Sequence, residues 1–269
     1  MKKISFVIVS LLFVLSPLVA QKTVTIVCSQ GFQGPELWDR HELPIDKNGY
    51  ITIFDGKTFA GWRGYCRQTI PSKWKVEDGC IHLDSKAQGE GGDIIFAHKF
   101  GPNFEFEMEW KISEGGNSGI FYLGQETTTD DATAYEPIYI SCPECQVLDN
   151  ERHPDAKLGR DNNRQAGSLY DMVPAKPQNA KPAGEWNKIR IRVQDGTVTH
   201  FQNGVQVLQY KLWTPEWTQM LQESKFSEKA WPHAFRLLNN CGGPERKGFI
   251  GMQDHGDDVW FRNIRVKEL

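Results

Sequence analysis

The chain has 269 residues, and its 31 Lys and Arg against 34 Asp and Glu give a formal net charge of −3 at pH 7. Nucleic acids and anionic lipid surfaces are bound through clustered cations, so this balance argues against either as the main partner. The length suffices for one large domain with a well-buried core, and 15 Phe, 7 Tyr and 9 Trp supply bulky side chains for it.

The first twenty residues have the pattern of a secretory leader. Lys2 and Lys3 precede an almost unbroken apolar run over 4–15, and the small residue Ala20 ends the segment. A membrane span needs about twenty predominantly apolar residues, and a proline and polar flanks cut this run short. We therefore expect a signal peptide over 1–20, a periplasmic or extracellular protein, and no membrane span after the leader is removed.

Alternation of apolar and polar residues dominates the rest of the chain. Residues 21–48 form a weakly patterned lead-in that can add a strand to a sheet edge, and the main domain is expected over 49–269. In 104–112 every even position is apolar and every odd position is charged, as in a half-buried strand. Asp195-Gly196 and Asn203-Gly204 are hairpin-turn signals between such runs. The predicted fold class is therefore all-β, an antiparallel β-sandwich or jelly roll.

Two stretches interrupt the strand pattern. Residues 150–185 are polar and rich in Asn, Lys, Pro and Gly, which predicts a long loop of the kind that is usually functional or disordered. Thr214-Pro215-Glu216 combines an N-cap, a first-turn proline and an acidic residue. A short helical insertion is accordingly expected around 214–238.

All six cysteines lie beyond the predicted leader, an even number that permits disulfides in an exported protein, although spacing alone cannot pair them. Cys142 and Cys145 have the C-x-x-C spacing of redox pairs and of half a zinc site. A redox pair normally opens a helix and a zinc ribbon needs a second such pair. Because neither is present, we expect a structural role for these two thiols.

Polar side chains recur where strands are predicted to end. Asn117 lies in a glycine-rich segment, Glu144 and Gln146 share one face of a strand, and Gln253 and His255 share a face before a turn. Taken singly, the Asn117 segment is best explained as a glycine turn, and a lone exposed histidine is more often incidental than catalytic. Their combination makes them candidate site residues.

Eight short motifs occur in an order that is typical of one family. They are Phe54-Asp55-Gly56-Lys57 with Gly61-Trp62, Trp74-Lys75-Val76-Glu77-Asp78-Gly79, Gly116-Asn117-Ser118-Gly119-Ile120-Phe121, Gln146-Val147-Leu148-Asp149, Gly184-Glu185-Trp186-Asn187, Asn203-Gly204, Gly251-Met252-Gln253-Asp254-His255-Gly256 and Phe261-Arg262-Asn263-Ile264-Arg265. From about residue 50 to the C terminus, the chain resembles the 3-keto-disaccharide hydrolase family. One departure is Cys145, which precedes Gln146 where the family usually has an aromatic or aliphatic residue.

The resemblance implies a concanavalin A-like jelly roll and action on glycosides whose C3 hydroxyl is oxidised to a ketone. A ketone at C3 acidifies the hydrogen on C2, so a base can remove that proton and the C1 substituent can leave by elimination, with or without later addition of water. This chemistry needs a base, an electrophile for the enolate oxygen and an acid for the leaving group. The expected partner is thus an oxidised glycoside, and no nucleotide cofactor is expected.

Chemistry and motif position assign roles to the candidate residues. The expected catalytic residues are His255 as the base, Glu144, and Tyr170 as the acid. A divalent cation is expected as the electrophile, because hard oxygen ligands suit such metals. Its expected ligands are Glu144, Asp149 and His255, and the expected substrate-binding residues are Asn117, Gln146, Gln253 and Trp62.

Two other functions stay open at this point. Glu105, Glu107 and Glu109 are spaced about 6.5–7 Å apart on a strand, and retaining glycosidases need carboxylates about 5–5.5 Å apart, so flexible side chains could qualify. A solvated charged face explains the same pattern. A non-catalytic carbohydrate-binding module, with exposed Trp62 or Trp213 stacking on sugar, is the second alternative.

Overall fold

The computed structural model describes residues 21–29 and 38–269, so the leader predicted over 1–20 lies outside the described residues. The helices are α1 (Pro215–Gln222) and α2 (Pro232–Asn239), with short 3-10 turns at Ile138–Ile140 and Pro154–Lys157. The strands are, in chain order, β1 (Thr23–Ser29), β2 (Trp38–Pro44), β3 (Ile51–Thr52), β4 (Trp62–Gly64), β5 (Trp74–Glu77), β6 (Cys80–Leu83), β7 (Ile94–Phe100), β8 (Phe104–Ile112), β9 (Asn117–Gly124), β10 (Glu144–Leu148), β11 (Asn187–Gln194), β12 (Thr197–Gln202), β13 (Val205–Lys211), β14 (Gly248–Met252) and β15 (Val259–Glu268).

Two antiparallel sheets form the body of the protein. One has eight strands in the order β13-β12-β11-β8-β15-β6-β5, with β3 also paired to β15. The other has five strands in the order β10-β9-β14-β7-β4. The predicted antiparallel β-sandwich is confirmed. Neither helix of the described part of the chain has the length and apolar composition that crossing a bilayer requires.

The alternation in β8 places its even positions in the core, where Phe104, Phe106 and Met108 are fully buried. The odd positions are less solvated than expected, since Glu105 and Glu107 are only 2% and 6% exposed. These two carboxylates form ion pairs with cationic side chains of the neighbouring strands. The cationic residues are Lys188, Arg190, Arg192, Arg265 and Lys267. The prediction of a solvated charged face is thereby corrected, and ion pairing across the sheet explains the acidic pattern without a two-carboxylate glycosidase.

The two predicted hairpin turns join β11 to β12 and β12 to β13. Asp195 and Gly196 have φ of 49° and 76°, and Asn203 and Gly204 have φ of 50° and 85°. Positive φ at both central residues is the geometry that Asp-Gly and Asn-Gly favour in tight hairpins. These turns fix the register of three strands in the eight-stranded sheet.

The lead-in does not extend either large sheet, because β1 and β2 pair with each other in a separate two-stranded sheet. It is tied to the five-stranded sheet by side chains. Arg63 Nε donates to Ser29 O at 3.0 Å, and His98 Nδ1 donates to Val27 O at 2.9 Å. The hairpin therefore packs beside β4 and β7 without adding to their edge.

The helical insertion begins as its sequence predicts. Thr214 caps α1 by accepting a hydrogen bond from the backbone N–H of Trp217 at 3.2 Å. The buried Trp217 donates its indole N–H to Leu238 O of α2, which packs the two helices together. The second helix, which starts at Pro232, was not separately predicted.

The long loop is ordered against the sandwich. Gly167 N donates to Gln146 O at 2.8 Å, and Gly167 O accepts from His200 Nδ1 at 2.9 Å inside the core. His200 Nε2 in turn accepts from the Tyr122 hydroxyl at 2.8 Å. A buried network thus anchors the middle of the loop beside β10, where its next residues can reach the outer surface of the sheet.

All six cysteines are free. The C-x-x-C pair consists of two thiols in different clusters, because Cys145 lies in the main core and Cys142 packs with Phe121 and Ile138 on the opposite side of the five-stranded sheet. Burial raises the pKa of both thiols. Neither thiol has the lowered pKa of a redox nucleophile.

Candidate active site

A pocket lies on the outer face of the five-stranded sheet, over the ends of β10, β9 and β14. In β10, Cys145 and Val147 point into the main core. Alternation along the strand therefore sends Glu144 and Gln146 outward, away from the eight-stranded sheet. The site is built on the surface of the sandwich and not between its two sheets.

The backbone of Gly119 lies between the segments that carry Gln146 and Gln253. Gln146 pairs with Gly119 from one side, and Gln253 N donates to Gly119 O at 2.9 Å from the other. A Cβ atom at Gly119 would approach Glu144 Oε1 to 2.3 Å. The missing side chain therefore leaves the space in which the Glu144 carboxyl lies.

The pocket has a volume of about 170 Å³. This is below the range of roughly 300–1,000 Å³ that is usual for drug-sized ligands, so it accommodates one ring-sized part of a larger molecule. It brings together six residues selected from the sequence and two that were not. Its lining is Asn117, Tyr139, Glu144, Gln146, Tyr170, Lys225, Gln253 and His255.

Three amide side chains of the pocket have buried atoms without hydrogen-bond partners in the part of the chain that the structure describes. The unpaired atoms are Asn117 Oδ1, Gln253 Oε1 and both amide atoms of Gln146. Buried polar groups are normally satisfied, and leaving one unpaired costs about 1–3 kcal/mol. The arrangement therefore suits a ligand that carries several hydroxyl or carbonyl groups.

His255 is exposed at the pocket edge and is oriented by Asn117. The Asn117 side-chain Nδ2 lies 3.3 Å from His255 Nε2. This contact orients the ring, because an amide group and an imidazole nitrogen can share a hydrogen bond at that distance. The backbone N–H of Asn117 also donates to Asp257 Oδ2 at 3.0 Å, which ties β9 to the turn that carries His255. Asn117 therefore holds both the ring and its supporting turn.

The surroundings of Glu144 favour the protonated form of its carboxyl. Burial raises the pKa of its carboxyl to about 8, the Lys225 ammonium opposes the rise, and the charges of Asp93 and Asp155 add to it. Burial likewise raises the pKa of Asp93, to about 7; a hydrogen bond from the backbone N–H of Asp254 opposes the rise, and the Asp254 charge adds to it. A protonated carboxyl in such a site can donate a hydrogen bond to a ligand oxygen.

Lys225 supplies the only ammonium group that lines the pocket in the described chain. Its Nζ lies 4.4 Å from the centre of the Tyr170 ring and 5.7 Å from that of Tyr139. Desolvation lowers the pKa of this amine, and Glu144 opposes that shift. The cation is thus held between two aromatic faces next to the buried carboxyl.

Tyr170 is less suited to the acid role than the sequence indicated. Its hydroxyl donates to Asp155 Oδ2 at 3.0 Å, and Asp155 is itself paired with Arg164 at 2.8 Å. Burial and the Asp155 charge raise the pKa of the Tyr170 hydroxyl, so its proton is held firmly. The Tyr170 ring lines the pocket and lies against the Lys225 ammonium group.

Trp62 is not part of this pocket, which corrects its expected role in substrate binding. It is 6% exposed, its indole N–H donates to Ile53 O at 2.6 Å, and its ring packs edge-on against Phe96. Pairing of β4 with β7 directs this side chain into the core. Trp213, the other tryptophan considered for sugar stacking, also lies elsewhere and donates its indole N–H to Cys241 O.

The three expected cation ligands do not converge, because the Asp149 carboxylate binds backbone N–H groups. Its carboxylate accepts hydrogen bonds from the backbone N–H groups of Gly115, Glu151 and Arg152 at 2.7, 3.0 and 3.4 Å. Within residues 21–29 and 38–269, no group of three or more His, Cys, Asp and Glu side chains is arranged to hold a metal ion. The set of Glu144, Asp149 and His255 therefore does not fit a cation in this arrangement.

Comparison with known proteins places this geometry in context. The chain is 64% identical over 254 residues to a protein from Bacteroides thetaiotaomicron named 3-keto-disaccharide hydrolase, covering 91% of this chain and 87% of that one. A solved structure of a proposed glycosyl hydrolase from Parabacteroides distasonis shares 27% identity, with a TM-score of 0.67 over 82% of this chain and 94% of the other. A second structure from that organism, 24% identical with a TM-score of 0.60, supports the fold.

The fold and the pocket define a β-sandwich enzyme whose site suits a hydroxyl-rich ligand. Residues 49–267 match the 3-keto-alpha-glucoside-1,2-lyase-like domain, and the chain belongs to that family. This membership agrees with the resemblance seen in the eight sequence motifs.

Proposed function

We propose that this enzyme, exported by its leader, cleaves glycosides that carry a ketone at C3, by removal of the C2 proton and elimination of the C1 substituent. The observation that carries this proposal is that the His255 imidazole and the buried Glu144 carboxyl meet in one pocket, beside amide side chains with unpaired atoms. The 64% identity to a 3-keto-disaccharide hydrolase supports the same substrate class.

His255 acts as the base. A ring nitrogen of His255 takes the C2 proton, and the electrons of the C–H bond form the enolate with negative charge on the C3 oxygen. Asn117 orients the ring for this step. The amides of Gln146 and Gln253 are free to bind sugar hydroxyls and so hold C2 against the imidazole.

Glu144 and Lys225 stabilise the enolate. The protonated Glu144 carboxyl donates a hydrogen bond to the C3 oxygen, and the Lys225 ammonium places a positive charge beside the developing negative one. The enolate then collapses, the C1–C2 double bond forms and the C1–O bond breaks. The leaving oxygen takes up the proton from the His255 imidazolium through water. Addition of water across the double bond completes an overall hydrolysis.

A divalent cation is the electrophile that the sequence led us to expect. Such an ion would polarise the C3 oxygen if it were bound. Asp149 is occupied by backbone N–H groups, so the three expected ligands do not fit it, and no step is assigned to it here. Lys225 and Glu144 account for the electrostatic stabilisation in its place.

Oxidised and unoxidised disaccharides incubated with the purified protein test this proposal. We expect cleavage of the 3-keto substrate, and exchange of its C2 hydrogen with deuterated solvent. His255→Ala should keep the fold, because an exposed turn residue rarely contributes more than about 0.5 kcal/mol. It should lose about 10²–10⁴-fold in turnover and lose the exchange in parallel. Equal cleavage of unoxidised substrates would overturn the 3-keto proposal, and binding without turnover would favour a binding module.

A further inference from the structure

A second imidazole stands beside the proposed base. The ring centre of His153 lies 6.3 Å from that of His255, and the two planes are inclined at 85°. His153 is half-buried and is not among the residues that line the pocket; it belongs to the long loop and lies beside the pocket through its contact with His255. Asp155 links it to Tyr170, because the Asp155 backbone N–H donates to His153 and the Asp155 carboxylate accepts a hydrogen bond from the Tyr170 hydroxyl.

The tautomer of His153 follows from its hydrogen bond. The backbone N–H of Asp155 donates to His153 Nδ1 at 3.1 Å, so Nδ1 is an acceptor and the proton of the neutral ring is on Nε2. Nε2 of His255 contacts the Asn117 amide, whereas Nε2 of His153 carries an N–H donor.

The carboxylate of Asp149 builds the loop that presents this donor. It holds Gly115, Glu151 and Arg152 through their backbone N–H groups, and Asp149 O accepts from His153 N at 3.0 Å. Rigid support of this kind is what a binding group needs if its geometry is to be fixed before the ligand arrives. Asp149 thus holds the backbone of the loop that carries His153.

We propose that His153 Nε2 donates a hydrogen bond to the glycosidic oxygen of the substrate, so that it stabilises the leaving group while His255 acts on C2. The C2 hydrogen and the C1 oxygen are on adjacent carbons, and two imidazoles at this separation can each come within about 3 Å of one of them. Like the neutral histidine donor of triosephosphate isomerase, His153 needs no positive charge for this role. The inference rests on the proposed elimination of 3-keto-glycosides.

His153→Asn is the informative variant. An asparagine keeps an acceptor for the Asp155 N–H, since it is among the preferred N-cap residues, but it is too short to reach the glycosidic oxygen. Turnover should be compared on 3-keto-glucosides with a methyl and with a 4-nitrophenyl leaving group. We expect a loss of about 10–100-fold on the methyl glycoside, because a donor to a developing oxyanion is lost. The 4-nitrophenyl glycoside, whose leaving oxygen needs little stabilisation, should change less than about threefold.

His153→Gln is the matched control, since its longer amide can both accept from Asp155 and donate outward, and it should recover part of the methyl-glycoside activity. Wild-type turnover of His153→Asn on both substrates would show that the ring only caps the short turn. An equal loss on both, with an unchanged melting temperature, would place His153 in substrate positioning and overturn its leaving-group role. If the wild-type protein cleaves neither keto substrate, the proposed function fails, and this inference fails with it.

Discussion

Glu144 occupies the space that a side chain at Gly119 would need, since a Cβ atom there would lie 2.3 Å from Glu144 Oε1. Gly119 is in an ordinary strand conformation, so alanine is acceptable to its backbone. Gly119→Ala should displace the carboxyl and lower turnover at least tenfold, while overpacking costs about 1–3 kcal/mol of stability. Turnover and the free energy of unfolding measured on the same preparation check this.

The double variant Gly119→Ala/Glu144→Ala is the control for that experiment. If the added methyl acts through Glu144, the stability cost of Gly119→Ala should disappear when the carboxyl is absent, which a double-mutant cycle measures as a coupling energy. Additive costs would mean that the methyl group strains the sheet itself.

The raised pKa of Glu144 predicts the alkaline limb of the activity profile. The carboxyl must be protonated to donate to the enolate, so turnover should fall as the pH rises through about 8. Lys225 lowers the pKa of Glu144, so Lys225→Met should move this limb to higher pH while reducing the maximal rate. A limb that stays in place in Lys225→Met would show that another group causes it.

The same pKa makes a prediction about stability. Glu144 binds its proton more tightly in the folded state, at a pKa of about 8 against 4.5 for the free side chain. The stability that this proton contributes is complete below about pH 4.5 and is lost as the pH rises towards 8. The melting temperature of the wild type should therefore fall over this pH range relative to that of Glu144→Gln, which has no such proton. Parallel curves for the two proteins would contradict the assignment.

Trp62 should matter for stability and not for substrate affinity. Trp62→Phe removes the indole N–H that donates to Ile53 O and leaves that carbonyl unpaired in the core. We expect a loss of about 1–3 kcal/mol in the free energy of unfolding, measured by denaturant titration, with an unchanged KM. A raised KM at unchanged stability would restore the sugar-binding role expected from the sequence.

Treatment with a chelator distinguishes a divalent cation from Lys225 and Glu144 as the group that stabilises the enolate. If Lys225 and the protonated Glu144 carry it, protein treated exhaustively with a chelator should retain its turnover of the keto substrate. Loss of activity that a divalent cation restores would show that a metal site forms around Glu144 when substrate binds. Metal analysis of the treated protein is the necessary control.

Sequence patterns were informative wherever a side chain's direction follows from strand alternation. Glu144 and Gln146 were assigned correctly to one outward face, since residues two apart on a strand must share a face. Lys225 was missed because it follows α1 and reaches the pocket only through tertiary packing of the insertion. Trp62 was misassigned because the sequence does not say which sheet face its short strand presents. Asp149 was expected to bind a cation, and its carboxylate accepts backbone N–H groups of a loop, a role that looks the same in sequence.

The position of the pocket on the outer surface of a strand has a consequence for how the protein tolerates change. Glu144 and Gln146 are separated from the main core only by β10 itself, whose alternating residues Cys145 and Val147 point into that core. A slip of one residue in the pairing of β10 with β9 would send the apolar side chains out and the polar ones into the core. Single-residue insertions or deletions just before Glu144 should thus abolish folding and activity together, whereas changes of length in distant loops should affect neither.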